Sequence, residues 1–298
     1  DMQKWTPNVA GIIEHAREIH PKTEIISRLV SGEIHRSNYE KVCIRSRKLA
    51  SALEKDGVKK GDVIATLALN TYRHLEMYYG ISGMGAITHT LNFRLHPEQA
   101  VYIINHAEDK IIFVELPFVP ILEALQENLK TVEKYVVLCE VDEMPETALK
   151  NAISYEEYIQ DGDENYSWPT LEDDAACALC YTSGTTGNPK GVLYSHKSNV
   201  IHAQAALTAM TIKPDDTILM VVPLFHVLAW GIPYFGPMNG LKLVMPGMQM
   251  EGEPLFELID QEDVTLAFGV PTIWMGLLAY CRDNNKILSS VKNTIIGG

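Results

Sequence analysis

Basic residues are in short supply in this 298-residue chain: 25 lysines and arginines stand against 38 aspartates and glutamates, for a formal net charge of −13. A nucleic-acid or anionic-membrane surface needs clustered lysine and arginine and an overall basic balance. The composition therefore argues against both kinds of partner. It remains compatible with a phosphate ligand, because one loop can supply local hydrogen-bond donors whatever the net charge.

Cysteine is scarce as well, and the five cysteines are an odd number for a chain of this length. They do not suggest a disulfide framework, so we expect a reducing compartment, with the cytoplasm as the default location. Cys177 and Cys180 form a C-x-x-C pair, but no second pair completes a zinc site. They fall in the apolar run 175–181, which predicts a strand with the two thiols on opposite faces, packed in the core.

The sequence shows no secretory signal, since residues 1–20 lack a basic segment followed by a long apolar core. Only residues 217–238 are apolar enough over a sufficient length to suggest a membrane span. They contain Pro223, Pro233 and Pro237, which would break a single helix repeatedly. We therefore expect a buried strand, a turn and the start of a core helix there.

Helix-like and strand-like segments alternate along the chain, which predicts an α/β fold with largely parallel sheets. The length suggests about two domains. Nine acidic residues against one lysine in 140–164 indicate an exposed, solvated connector. Predicted helices are one opened by a capping box at 37–40 and ending at Gly57, then 74–84, 97–107, 119–129, 198–210, 254–261 and 271–282. Predicted strands are 63–69, 111–114, 135–138, 175–181, 192–194, 218–222, 241–245, 264–268 and 294–296.

The most informative segment is 181–191, which reads YTSGTTGNPKG. Its glycines let the backbone turn tightly and approach a ligand, while backbone N–H groups, hydroxyls and Lys190 can bind anionic oxygens. Gly191 follows the lysine where the P-loop of NTPases requires serine or threonine, so the loop is of another type. The loop predicts a site for the phosphates of ATP. The alternative is a flexible polar turn with a solvated lysine.

This segment resembles, nearly residue for residue, the signature loop of the adenylate-forming superfamily: acyl-CoA synthetases, luciferases and the adenylation domains of peptide synthetases. Residues 89–99 (HTLNFRLHPEQ) are similar to a segment of medium- and long-chain acyl-CoA synthetases and methylthioalkanoate ligases. Residues 223–231 (PLFHVLAWG) resemble their acyl-site motif. Phe93 and Leu228 depart from the family pattern, where proline and asparagine are common, and are candidates for setting acyl-chain preference.

The resemblance implies stacked α/β subdomains, as in the N-terminal domain of adenylate-forming enzymes. It assigns 1–298 to the N-terminal part of an adenylation domain, with subdomains at 61–210, containing the phosphate loop, and at 10–60 plus 211–298, containing the acyl-site motif. The later family motifs and the C-terminal domain have no counterpart in the sequence. Because the last residues form a strand running into Gly297 and Gly298, we expect a chain cut before the end of its domain.

The implied activity is ATP-dependent, AMP-forming activation of a medium- or long-chain fatty acid, or a methylthioalkanoate, followed by transfer of the acyl group to coenzyme A. ATP, Mg²⁺ and coenzyme A are the implied small molecules. The roles carried over to this sequence are ATP-phosphate binding by Thr182, Ser183, Gly184, Thr185, Thr186, Gly187 and Lys190; catalysis by Thr185, Lys190 and His226; magnesium binding by Thr182; and substrate binding by His226, Trp230 and Gly297.

Each role has a plainer alternative. His226 is a core histidine satisfied by backbone, Trp230 a buried apolar residue, and Gly297 part of a simple turn. For the whole chain, the alternatives are a ligase that delivers acyl groups to a carrier protein, a non-catalytic nucleotide- or acyl-binding module and, more remotely, a membrane-anchored interaction protein. Oligomeric state stays open, with a homodimer as one alternative.

Overall fold

The computed structural model describes residues 6–172, 174–182, 188–210 and 212–297. The helices in these ranges are α1 Val9–Ile19, α2 Tyr39–Lys55, α3 Tyr72–Gly83, α4 Pro97–Ala107, α5 Val119–Leu125, α6 Tyr155–Ile159, α7 His196–Ala209, α8 Ile232–Met238, α9 Gly252–Gln261 and α10 Pro271–Asp283. The strands are β1 Glu24–Arg28, β2 Ile34–Asn38, β3 Val63–Leu67, β4 Ile87–Thr90, β5 Ile111–Val114, β6 Lys134–Val137, β7 Ala152–Ser154, β8 Ala176–Thr182, β9 Lys190–Ser195, β10 Thr217–Met220, β11 Lys242–Met245, β12 Leu266–Gly269 and β13 Asn293–Ile296.

The strands form two sheets that are parallel except at one edge of each. One has seven strands in the order β7-β6-β5-β3-β4-β8-β9, and only β8 and β9 pair antiparallel. The other has six strands in the order β13-β12-β10-β11-β1-β2, and only β1 and β2 pair antiparallel. Most parallel neighbours are joined through crossover connections that contain helices, whereas β6 and β7 are joined by residues 138–151 without an α-helix. The prediction of an α/β fold with largely parallel sheets is confirmed.

The largest core cluster draws side chains from both sheets and from α1, α2, α3, α7 and α8. Helix α3 is buried on every side, because each of its residues is almost inaccessible to solvent. Tyr78 and Tyr79 on this helix donate hydrogen bonds to the backbone oxygens of Leu224 and Pro233. The two sheets therefore share one apolar interior, with α3 between them.

The predicted bounds of α4 and β5 are confirmed, whereas α3, α7 and α9 each begin two residues before the predicted start, and the predicted cap of α2 is wrong by one residue. Helix α4 covers the predicted 97–107, with Pro97 in its first turn. Helix α2, however, is capped by Asn38, whose side chain accepts from the Lys41 N–H at 2.9 Å. Ser37 is a buried residue of β2. Strand β2 continues through Asn38, so Ser37, the predicted N-cap, is paired with β1 instead of capping the helix.

The predicted connector at 140–164 is wrong in part. Residues 152–154 join the seven-stranded sheet as β7, and α6 follows directly. Tyr155 is fully buried, and the Glu156 carboxylate accepts two hydrogen bonds from Arg45 and one from Arg73. An acidic segment need not be solvated, because arginines distant in the sequence neutralise Glu156 within the fold.

Both cysteines of the C-x-x-C pair are buried, as predicted. They lie in the same core cluster, and the pairing of β8 with β9 shifts register between Ala176 and Ala178. Among the residues that the structure describes, no group of three or more histidine, cysteine, aspartate or glutamate side chains could hold a metal ion.

The apolar stretch 217–238 folds as predicted into a buried strand, a turn and a short helix. Strand β10 and helix α8 are separated by a tight turn at 227–231. Within the described ranges, no helix is both long enough and apolar enough to span a bilayer.

Candidate active site

A cavity of about 870 Å³ lies where strands of both sheets end. Part of its wall follows β4 of the seven-stranded sheet, and other parts follow β10 and β12 of the six-stranded sheet. Ligand sites of parallel α/β folds form at such carboxyl ends. The lining residues are Asn92, Arg94, Val221, Pro223, Phe225, His226, Met250, Glu251, Gly252, Val270, Thr272, Ile273 and Gly276.

His226 lines this cavity and is exposed to solvent. Its backbone N–H donates to the oxygen of Pro223 at 3.0 Å, which turns the chain at this point. The alternative of a core histidine is therefore wrong. Its position leaves the imidazole able to meet a ligand in the cavity.

Arg94 provides the only guanidinium or ammonium group among the described residues that line this cavity. Its guanidinium carbon lies 5.7 Å from the centre of the Phe93 ring. Its side chain has no carboxylate partner within the described part of the chain. Arginine binds carboxylates and phosphates through two parallel hydrogen bonds, so this residue can orient an anionic ligand.

The segment after His226 has a left-handed backbone. Val227, Leu228, Ala229 and Trp230 have φ of 45°, 51°, 47° and 55°. A left-handed turn costs about 1–2 kcal/mol per residue for ordinary side chains, and a β-branched valine is especially disfavoured. Such strain persists only where surrounding contacts enforce it, and it clusters at functional sites.

Cys180 lies in the same core cluster as Leu228 and Ala229 of this turn, and its sulfur is joined to the Thr90 hydroxyl at 3.3 Å. Burial raises the pKa of this thiol, and the hydrogen bonds only partly oppose the effect of burial. The thiol therefore stays neutral and does not act as a nucleophile. Through Cys180, strand β8 packs in the same core cluster as the turn.

Trp230 and Gly297 are brought together, although neither lines the 870 Å³ cavity. A methyl group placed on Gly297 would lie 3.0 Å from the Trp230 ring, and that ring makes an edge contact with Phe268 at 6.5 Å between centroids. Gly231 ends the turn with φ +81°, and a methyl group there would lie 2.5 Å from the His202 ring. Position 231 thus requires glycine, and Trp230 is held half-buried.

The described ends of the phosphate-loop segment belong to the antiparallel strands β8 and β9. Thr182 at the end of β8 pairs with Lys190 at the start of β9, and both residues are exposed. Five of the predicted ligand residues lie outside the described residues, as does Gly298: Ser183, Gly184, Thr185, Thr186 and Gly187. The described residues therefore show only the stem, with its lysine accessible to a ligand.

The base of this stem is fixed by aromatic residues. The Tyr181 hydroxyl and His106 Nδ1 are joined by a 2.6 Å hydrogen bond, and the Tyr181 ring packs against His89 at 5.1 Å between centroids. Burial, assisted by the charge of Asp109, raises the pKa of Tyr181 to about 12. The phenol therefore remains protonated, and this contact can anchor the stem at neutral pH.

Sequence reasoning overlooked Asn92 and Arg94, although both belong to the segment 89–99 that carried part of the family resemblance. The missing step was strand β4, which was not predicted. Polar residues directly after a parallel strand are candidates for a ligand site, so recognising β4 would have identified both.

A family model described as "AMP-binding enzyme" matches residues 13–298. The chain belongs to this family. Among curated members of the AMP-binding family, the chain is 45% identical over 292 residues to the medium-chain-fatty-acid–CoA ligase of Ectopseudomonas oleovorans, covering 97% of this chain and 54% of that protein. It is 44% identical over 292 residues to the 3-methylmercaptopropionyl-CoA ligase of Ruegeria lacuscaerulensis, with the same coverage. The suspected family is confirmed.

The fold also matches a solved structure, that of the anthranilate CoA ligase AuaEII in complex with anthranoyl-AMP. The TM-score is 0.88 at 22% identity, covering 99% of this chain and 55% of that one. At this identity the likeness concerns the fold alone. The chain spans about half the length of the curated relatives it matches.

Proposed function

We propose that the protein activates a medium- or long-chain fatty acid, or a related acid such as a methylthioalkanoate, by ATP-dependent, AMP-forming adenylation and transfers the acyl group to coenzyme A. The observation that carries this proposal is the 870 Å³ cavity at the carboxyl ends of both sheets in an AMP-binding family chain. Its lining combines apolar walls with a histidine and an arginine.

The chemistry asks the protein mainly to position groups and neutralise charge. A carboxylate is a poor acyl donor, so it attacks the α-phosphate of ATP and pyrophosphate leaves; a thiol then displaces AMP from the acyl-adenylate. Two anions must approach each other in this step, which preorganised donors favour. Arg94 and His226 line the cavity and are available to orient the carboxylate or a phosphate. The amino end of α10 contributes Thr272 to the wall and adds a favourable dipole.

Lys190 is proposed to neutralise charge on the ATP phosphates. The phosphate oxygens would also be bound by hydroxyl and backbone N–H groups of Ser183, Gly184, Thr185, Thr186 and Gly187. The exposure of Lys190 at the start of β9 supports its role. For Mg²⁺, Thr182 offers a single exposed hydroxyl, 3.5 Å from the Lys190 oxygen. Magnesium prefers six oxygen ligands, and one hydroxyl does not make a site, so we derive no step from a protein-bound metal.

The residues that line the cavity favour an acid with an apolar chain. Val221, Phe225, Met250 and Ile273 face the same space as His226. Hydrocarbon chains are held by such surfaces with few polar contacts. The two named relatives act on a medium-chain fatty acid and on 3-methylmercaptopropionate, which supports an acid of either kind here.

The test is pyrophosphate–ATP exchange with carboxylic acids from propionate to palmitate, measured on this chain and on a form extended to the length of its relatives. Acid-dependent exchange would establish adenylation and name the substrate class. Lys190→Ala should lower exchange at limiting ATP at least about tenfold, whereas the exposed control Lys213→Ala should not. Normal exchange in Lys190→Ala would remove the lysine from the site.

The same preparation can show which thiol accepts the acyl group. Formation of acyl-CoA from a competent acid would support coenzyme A, while exchange without acyl-CoA formation would favour a carrier protein. Nucleotide binding without exchange in the extended form would favour the binding-module alternative. All five cysteines are buried and unpaired, which supports our placing the reaction in a reducing compartment such as the cytoplasm.

A further inference from the structure

Asn70 makes an unusual set of hydrogen bonds to one stretch of backbone. It follows β3 of the seven-stranded sheet, and its side chain is buried. Its amide Nδ2 donates to the oxygens of Met220 at 2.9 Å and Val222 at 2.8 Å. Its Oδ1 accepts from the Leu224 N–H at 2.8 Å. One side chain thus satisfies three backbone groups at the end of β10 and in the segment that follows it.

Two further side chains bind the next part of the same stretch. The hydroxyl of Tyr78 on α3 donates to the Leu224 oxygen, and Thr90 at the end of β4 donates to the Phe225 oxygen at 3.3 Å. Like Asn70, both are buried and precede the stretch by more than a hundred positions in the chain. We call residues 220–225 the pinned segment.

The pinned segment forms one wall of the candidate active site. Val221, Pro223 and Phe225 line the cavity, and His226 follows directly. The backbone groups held by Asn70 belong to Met220, Val222 and Leu224, which alternate with these residues. Because fixed backbone groups leave little freedom to their neighbours, the hydrogen bonds set where the cavity-facing side chains lie.

We propose that Asn70 is a positioning residue that fixes the acid-binding wall around His226 through the backbone of the pinned segment. This inference rests on the proposed function, and it assigns Asn70 to the acid side of the cavity rather than to the phosphate loop. A merely structural asparagine would contribute to folding without affecting one substrate more than another.

The kinetic test compares Asn70→Ala with Asn199→Ala in pyrophosphate–ATP exchange by the extended form. Asn199 is also buried, and its amide donates to the Cys177 sulfur, away from the pinned segment. We expect Asn70→Ala to raise the KM for the acid about tenfold while leaving the KM for ATP within about twofold. Asn199→Ala should change neither. Equal changes in both variants, or a loss of kcat alone, would overturn the proposal.

A second measurement does not depend on catalysis. The Leu224 amide should exchange with solvent at least about tenfold faster in Asn70→Ala than in wild type, and at the wild-type rate in Asn199→Ala. If Asn70→Ala does not fold, Thr90→Val can be used instead. It removes the hydroxyl that donates to the Phe225 oxygen of the pinned segment, with little change in side-chain shape. It should raise the acid KM by about twofold to threefold.

The outcomes separate the two proposals. If wild type shows no pyrophosphate–ATP exchange with any acid, the proposed adenylation is refuted. Hydrogen exchange of the Leu224 amide would still decide whether Asn70 holds the wall. Faster Leu224 exchange with an unchanged acid KM would show that the wall's position does not matter to the acid, which overturns the positioning role.

Discussion

Within the described part of the chain, Arg45 and Arg73 are paired with carboxylates, whereas Arg94 is not. Arg45 and Arg73 are held in an ionic network between α2, α3 and α6: Arg45 binds Glu156 through two hydrogen bonds and Glu76 through a third, and Arg73 binds Glu156 at 2.9 Å. Arg94 lines the cavity, stacks on an aromatic ring and has no carboxylate partner in the described ranges.

The difference separates charge that holds the fold from charge available to a ligand. In the network, burial raises the pKa of Glu156, but hydrogen bonds and charge from Arg45 and then Arg73 outweigh burial, so the net pKa lies below its usual range. The carboxylate is ionised and fully occupied. At the cavity the guanidinium of Arg94 keeps its hydrogen-bonding capacity for a ligand, at the cost of contributing little to stability.

Breaking the network should have the largest effect. Glu156→Ala leaves Arg45 and Arg73 short of a buried partner, and removing one member of a buried ion pair costs about 3–5 kcal/mol. We expect the free energy of unfolding in urea to fall by that amount. The control is Glu127→Ala, which removes an exposed carboxylate paired with Lys150 and should change stability by less than about 1 kcal/mol. Similar losses in both would show that the network is not special.

Glu115 is a buried carboxylate that forms no ion pair with any residue in the described ranges. Burial raises its pKa to about 7, against weaker opposing effects from the Leu69 N–H and the charge of Arg73. Because the folded-state pKa lies above the unfolded value, Glu115 contributes fully to stability below about pH 4, and that contribution is lost as pH rises through about 7. At pH 8 the wild-type protein should therefore have a lower free energy of unfolding than it would have if the Glu115 carboxyl were neutral.

Glu115→Gln removes this titration while keeping an oxygen to accept from the Leu69 N–H. Relative to wild type, the variant should gain about 3 kcal/mol at pH 8 and close to none at pH 4, measured by urea unfolding across that range. A difference between the two proteins that does not change with pH would contradict the assignment.

Removing the cavity arginine should reverse the pattern seen in the network. Arg94→Ala should leave the free energy of unfolding within about 0.5 kcal/mol of wild type and lower acid-dependent exchange by about thirtyfold, because one charge-assisted contact to a substrate anion is lost. The KM for each substrate will identify the anion. Arg282→Ala, an exposed arginine outside the cavity lining, is the control, and equal activity of the two variants would exclude Arg94 from the site.

The smallest effect is expected at Trp230. Its ring is half-buried against Phe268 and Gly297 but does not line the main cavity. Trp230→Ala should change the ratio of kcat/KM between octanoate and palmitate a few-fold without abolishing adenylation, since one aromatic contact is worth about 0.5–1.5 kcal/mol. An unchanged ratio would remove Trp230 from the acyl site.

Elements with strong local signals were predictable, as α4 shows with its proline start and periodic apolar residues. Strand β4 was not, because its sequence Ile-Thr-His-Thr does not read as a buried strand. In the fold, His89 binds Asp109 at 2.8 Å and Thr88 binds Ser82 at 2.8 Å. Polar residues satisfied by distant partners leave no local pattern, and the cavity residues after β4 were overlooked for the same reason.

The sequence by itself determined the family, the α/β class and the composition of the phosphate loop, because each depends on residues adjacent in the chain. The tertiary structure decided which side chains share the cavity. Arg94 and His226 are far apart in sequence and meet only because strands from two sheets end at the same place. It also decided which arginines are neutralised, since burial and partner geometry arise only when separate segments pack together.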